Sequence, residues 1–264
     1  MKRKICFFDI DGTLTKEGKA AEALIPESCR HALELAHDQG VLLFVNTGRP
    51  TSTINQKIKD LPLDGMVCSC GSAIYMNDEK LYYYQLDETR QREIVKRVAA
   101  LPVACTFEGE MGQVATNLEY HDGIRRSMEI YRKEGYPEYS ADDEEYRFEK
   151  FCLFKSSDQS WPDLSFLEEF EMIPRSPDFY EVVPNCCSKG KAIHFLLDQL
   201  NISEEDCYVF GDSENDWAML ETVSNSIVMG HAPEKLKEKA KWVAPKPSED
   251  GIYSIMLQLG LIHE

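Results

Sequence analysis

The sequence predicts an α/β protein, a Rossmann-like parallel-sheet core with an inserted α+β domain. Two observations predict it. Near-continuous apolar strands alternate with helical segments over the first 80 or so residues and again from residue 188, the pattern of a parallel sheet covered on both faces. Between these stretches, short strands and helices follow no regular βαβ order for about 100 residues, a usual size for a separate domain. The core is therefore assigned to residues 1–81 plus 184–264, and the insert to residues 82–183.

Each element has its own signal. Residues 4–9 read as a buried strand running into Asp9, and Ile25–Gln39 as a helix stopped by Gly40. VLLFVNT (41–47) is a second strand, and a short helix to about Lys59 precedes a third at 66–69. AIYMNDEKLYYY reads as a hairpin turning at Asn77-Asp78. In the insert, helices are expected near 87–100, 119–133 and 163–169, with strands in VACTFEG, KFCLFK and FYEVV. The acidic run EYSADDEEYRFE (138–149) reads as a solvated surface. Regular alternation returns with a helix from an N-cap at Ser188 to about Gln199, then a strand in CYVFGD (207–212). A helix in ENDWAMLE, a strand in SIVMG and helices over 233–240 and 250–259 complete the core.

Composition narrows the function. A net charge of −17 excludes nucleic acid and anionic membrane as partners, since both need basic surfaces. No apolar stretch is long enough to span a bilayer, and Asp9 interrupts the first apolar run too early for a signal peptide, so a cytoplasmic protein is expected. The nine cysteines include Cys68 with Cys70 and the adjacent Cys186 and Cys187, but no pair of spaced C-x-x-C motifs. Reduced structural thiols are expected. The six histidines show no ligand spacing and read as ordinary surface or helix residues.

Asp9, Thr47 and Asp212 each end a core strand. In a parallel sheet all three fall on the carboxyl edge, where open α/β sheets bind ligands. Asp11 and Asp216 add two further carboxylates close by. Carboxylates gathered in this way repel one another unless a cation sits among them, and oxygen ligands without histidine favour Mg2+. An extended D-x-D would put Asp9 and Asp11 on one side of the backbone, with Ile10 toward the core.

DIDGTLT (9–15), NTGR (46–49), SKGKA (188–192) and GDSENDWAML (211–220) resemble, in order and spacing, the motifs of the haloacid dehalogenase superfamily of phosphatases. The large insert between the second and third motifs resembles the Cof-type branch, in which a mobile cap closes over the substrate. The resemblance implies a magnesium-dependent phosphomonoesterase acting on a small phosphorylated metabolite such as a sugar phosphate, nucleotide or cofactor phosphate. It implies Asp9 as nucleophile and Asp11 as general acid–base, with Thr47, Lys189 and Asn215 on the phosphate. Mg2+ would be held by Asp9, the Asp11 backbone carbonyl and Asp212, with Asp216 supporting that shell. Arg49 is balanced between a salt bridge and a site role. Two departures stand out: Cys70 replaces an asparagine common in the family, and Asn185-Cys186-Cys187 precedes the lysine motif. A phosphomutase and a non-catalytic phospho-ligand sensor are the alternatives.

Overall fold

The computed structural model describes residues 3–16 and 24–264. Along the chain run β1 (Ile5–Phe8), α1 (Glu27–Asp38), β2 (Leu42–Asn46), α2 (Gln56–Lys59), β3 (Gly65–Cys68), β4 (Ala73–Met76) and β5 (Glu79–Tyr83). They are followed by α3 (Glu88–Ala99), β6 (Ala104–Gly109), β7 (Gly112–Thr116), α4 (Asp122–Lys133), β8 (Glu138–Tyr139), β9 (Lys150–Phe154), β10 (Phe170–Ser176) and β11 (Phe179–Pro184). The last part holds α5 (Lys189–Leu200), β12 (Cys207–Gly211), α6 (Trp217–Leu220), β13 (Asn225–Met229), α7 (Glu234–Lys237), β14 (Trp242–Ala244) and α8 (Gly251–Gln258). Two compact units result, one from the chain up to Gly48 with Asn55–Leu81 and Lys189–Glu264, the other from Arg49–Ile54 and Tyr82–Ser188.

The first unit is built on an eight-stranded sheet in the order β14-β13-β12-β1-β2-β3-β4-β5. The pairs from β14 to β3 are parallel, and β4 runs antiparallel to β3. Every residue of β1, β2 and β13 is buried, which is why these strands lack polar alternation. Phe8 pairs in register with Phe210 of β12 and stacks on it at 4.5 Å, while Phe7 meets Phe44 of β2 at 5.4 Å. These contacts lock β1 between β2 and β12. At the hairpin, Asn77 (φ 48°) and Asp78 (φ 63°) both take left-handed backbone, as a two-residue turn between twisted strands requires.

The second unit carries a six-stranded sheet in the order β10-β11-β9-β6-β7-β8, antiparallel except for the β7–β8 pair. Alternation in KFCLF sends Phe151 and Leu153 into one core with Phe107, Val114, Phe148, Val182 and the α3 residues Ile94 and Val98. On the opposite face, the buried Lys150 ammonium bonds Glu108 Oε2 at 2.7 Å and Glu181 Oε1 at 3.0 Å, and Arg175 also pairs with Glu181. Burial would raise the Glu181 pKa, but Lys150 and Arg175 outweigh it and hold the carboxyl at about 2. A folded-state value below the ordinary one means stability present above pH 4.5 and lost as pH falls from there towards 2, on the order of 3 kcal/mol. Melting temperature followed from pH 6 to 2 should therefore drop less steeply in Glu181→Gln than in the natural protein. Parallel curves would refute this role for the pair.

Several expectations need correction in the insert. Residues 163–169 form no helix. Leu167 N–H donates to the Leu164 carbonyl and Phe170 N–H to that of Leu167, both at 3.0 Å, so two tight turns reproduce the apolar spacing of a helix. The acidic run is exposed as far as residue 145, apart from the half-buried Tyr139. Beyond it Tyr146 and Phe148 enter the core, the Tyr146 hydroxyl donating to Phe107 O at 2.8 Å. Strands β7, β8, β10 and β14 were not foreseen. β10 carries Pro174 beside a register shift, and as an edge strand it tolerates the missing N–H. All nine cysteines are free thiols, and only Cys186 is exposed. Among the described residues no helix is long and apolar enough to cross a membrane.

Candidate active site

Three neighbouring parallel strands, in the order β12-β1-β2, are followed directly by Asp212, Asp9 and Thr47. All three side chains are buried. Asp9 N–H extends the ladder by one bond, donating to Phe210 O at 2.9 Å. Thr47 N–H donates to Val67 O at 2.9 Å, and its carbonyl accepts from Cys70 N–H at 3.0 Å.

The chain does not stay extended through Asp-Ile-Asp. The strand ends at Phe8, and Ile10–Leu14 form a helical turn broken at Asp11 (φ −80°, ψ 106°) and Gly12 (φ 86°). Thr15 causes it: its N–H and hydroxyl both donate to Ile10 O, at 3.0 and 3.1 Å, and the same hydroxyl accepts from Gly12 N–H at 3.2 Å. Ile10 is buried, but a turn rather than strand alternation sets the place of Asp11. Gly12 is needed twice over, for its positive φ and because a Cβ there would lie 2.5 Å from Asp212 Oδ2.

Lys189 opens α5 and is 2% exposed. Its ammonium donates to Asp9 Oδ1 at 2.6 Å and to Asp216 Oδ1 at 2.7 Å. The other oxygen of Asp216 accepts the N–H groups of Asp212 (2.9 Å) and Ser213 (3.1 Å), so this carboxylate folds the turn that carries Asp212. Asn215, half-buried on the same turn, accepts the Ser213 hydroxyl with Oδ1. Asp9, Asp212 and Asp216 each offer a carboxylate oxygen within 4.8 Å of the others. Asp11 is half-buried and lies outside that trio.

The electrostatics follow from three carboxylates facing one ammonium. Burial, opposed by Lys189 and reinforced by Asp216 and Asp212, raises the Asp9 carboxyl to about 8. Burial again, then Asp216 and Asp11, raise Asp212 to about 7 against the pull of Thr13 and Lys189. Burial disfavours the Lys189 ammonium, yet Asp216, Asp9 and Cys70 outweigh it and its pKa stands above the ordinary lysine value. All three values are raised, the acids chiefly by burial and Lys189 by its carboxylate partners, and three carboxylates beside this ammonium leave a surplus of negative charge. A hard divalent cation would remove that surplus, and an all-carboxylate donor set suits Mg2+.

Motif reading missed two contributors, Thr13 and His231, and named Cys70 only as a departure from the family pattern. Thr13 Oγ1 donates to Asp212 Oδ1 at 3.1 Å. His231, read as an ordinary histidine, places Nε2 3.2 Å from Asp212 Oδ2. Cys70, buried with φ 56°, adds to the field at Lys189. The strand-end rule that picks out Asp9 and Asp212 also reaches His231, two residues beyond β13.

A sequence model of the haloacid dehalogenase-like hydrolases matches residues 6–256. The chain belongs to this family. Among these hydrolases, a Bacillus subtilis (strain 168) protein named "Putative phosphatase YkrA" is 28% identical, covering 99% of this chain and 100% of the relative. The B. subtilis 5-amino-6-(5-phospho-D-ribitylamino)uracil phosphatase YwtE is 24% identical over 97% of this chain and 98% of its own length. The solved structure of the subclass IIB sugar phosphatase BT4131 superposes with a TM-score of 0.80 at 26% identity, covering 98% of this chain and 100% of that one. A structure from Geobacillus kaustophilus HTA426 gives a TM-score of 0.84 at 28% identity, covering the same shares. The expected fold class, a parallel-sheet core with an inserted cap, is that of these haloacid dehalogenase phosphatases, and this chain is a phosphatase of the same family.

Proposed function

We propose that this phosphatase hydrolyses a small phosphorylated metabolite through an aspartyl-phosphate on Asp9, with Mg2+ as cofactor. The observation that carries the reading is the trio Asp9, Asp212 and Asp216, with the Lys189 ammonium bonded to Asp9 and Asp216. An Asp9 oxygen attacks phosphorus as the bond to the ester oxygen breaks, and Asp11 gives that oxygen a proton. Asp11, now a carboxylate, then takes a proton from the water that attacks the aspartyl-phosphate. Inorganic phosphate leaves, and Asp9 is restored. Thr47 and the Asn215 amide donate to the phosphoryl oxygens, and Lys189 pairs with their charge while holding Asp9 in place. Asp9, the Asp11 carbonyl and Asp212, supported by Asp216, would hold Mg2+, which would supply the positive charge that an anionic nucleophile and an anionic ester both need.

Two similar proteins, one named a sugar phosphatase and one acting on a phosphoribitylamino compound, make phosphorylated polyhydroxy chains the first substrates to try. Phosphate release from a panel of sugar phosphates, nucleotides, pyridoxal phosphate and flavin mononucleotide should require Mg2+ and stop with EDTA. Full turnover after exhaustive chelation would overturn the metal assignment. Isomerised sugar phosphate without free phosphate would replace hydrolysis by mutase chemistry.

A further inference from the structure

We propose that His231 is a positioning residue for the cation: its ring holds the Asp212 carboxylate in the orientation that lets Asp212 and Asp9 share one ion. The inference rests on the assignment of the carboxylate trio as a magnesium site. Nε2 of His231 stands 3.2 Å from Asp212 Oδ2, and toward the ionised carboxylate that would bind a cation, which only accepts, it donates its hydrogen. Thr13 donates to the other oxygen, Oδ1, at 3.1 Å. The two donors come from different places, the turn after β1 and the loop after β13, so rotating the carboxylate breaks at least one of these bonds. Gly12 leaves no slack on a third side, since even a methyl group there would lie 2.5 Å from Oδ2.

The ring does not itself join the ligand set. Oxygens of Asp9, Asp212 and Asp216 come within 4.8 Å of one another, and no His231 nitrogen is part of that group. Each Asp212 oxygen, with one donor bound, keeps a second lone pair for an ion. His231 therefore acts through Asp212, as outer partners of metal ligands do, and losing such a partner weakens metal binding by about 10–100-fold.

The test is a magnesium titration of the full chain by calorimetry and by thermal shift, for the natural protein and for His231→Ala and His231→Gln. His231→Ala should bind magnesium about 10–100-fold more weakly and lose turnover at low magnesium, with recovery as magnesium is raised. His231→Gln, whose amide nitrogen can reach the place of Nε2 and donate from there, should return the dissociation constant to within about threefold of the natural value. If the alanine variant does not fold, His231→Leu carries the test, because it fills the space without a donor. An unchanged magnesium affinity in a folded variant lacking the donor overturns the role of His231. Failure of the natural protein itself to bind magnesium overturns instead the cation assignment beneath it.

Discussion

Asp9→Asn is expected to lose turnover by about 10⁴–10⁶-fold, the scale seen when an enzyme's nucleophile is removed. The variant should keep its fold. An asparagine oxygen can still accept the Lys189 hydrogen bond that Asp9 Oδ1 receives at 2.6 Å, and Lys189 keeps Asp216 as its charged partner. The substitution also removes one of three buried carboxylates in a site with surplus negative charge, and burial is what lifts the Asp9 carboxyl to about 8. Melting temperature without added metal should accordingly stay level or rise while turnover disappears. Acid-quenched protein should carry labelled phosphate in the natural sequence and none in the variant. Turnover at the natural level in Asp9→Asn would falsify the covalent mechanism.

Lys189→Met should cost both activity and stability. The side chain is 2% exposed and bridges two buried carboxylates at 2.6 and 2.7 Å, so its loss leaves buried charge without compensation. Breaking a buried ion pair from one side typically costs about 3–5 kcal/mol, several times an exposed pair. For a chain of this size that corresponds to a melting temperature lower by about 10 °C, measurable by calorimetry at pH 7.5. Added magnesium should recover part of the loss, because it brings positive charge to the same oxygens. Lys189→Arg should not rescue turnover, since a planar fork cannot put one compact charge between Asp9 and Asp216. A Lys189→Met protein that melts with the natural one would show that the pair does not hold the site together.

Much of the core was legible from residues alone because its signals are local. Runs such as ICFF and LLFVN are apolar on both faces, and each ends in a polar residue, so Asp9, Thr47 and Asp212 announce themselves without a structure. The insert was less legible for reasons equally physical. Turns at 164–170 imitate helical spacing, the exposed acids at 141–145 hide the buried Tyr146 and Phe148, and a proline in β10 argues against a strand that survives only at a sheet edge. In the site, the spacing of D-x-D suggested an extended pair, and Thr15 turned it into a bend.

By itself the sequence determined the fully buried core strands, the acids at their ends and the family motifs, because hydrophobic periodicity and motif spacing act over a few residues at a time. The tertiary structure decided which of those acids meet. Lys189 lies 180 residues from Asp9, Thr13 lies 199 from Asp212, and His231 reaches Asp212 from a third strand end. Such pairings depend on strand order, with β1 inserted between β2 and β12 by the packing of Phe7 and Phe8 on their neighbours. That order is set by burial summed over the whole sheet, and no single stretch of the chain carries it.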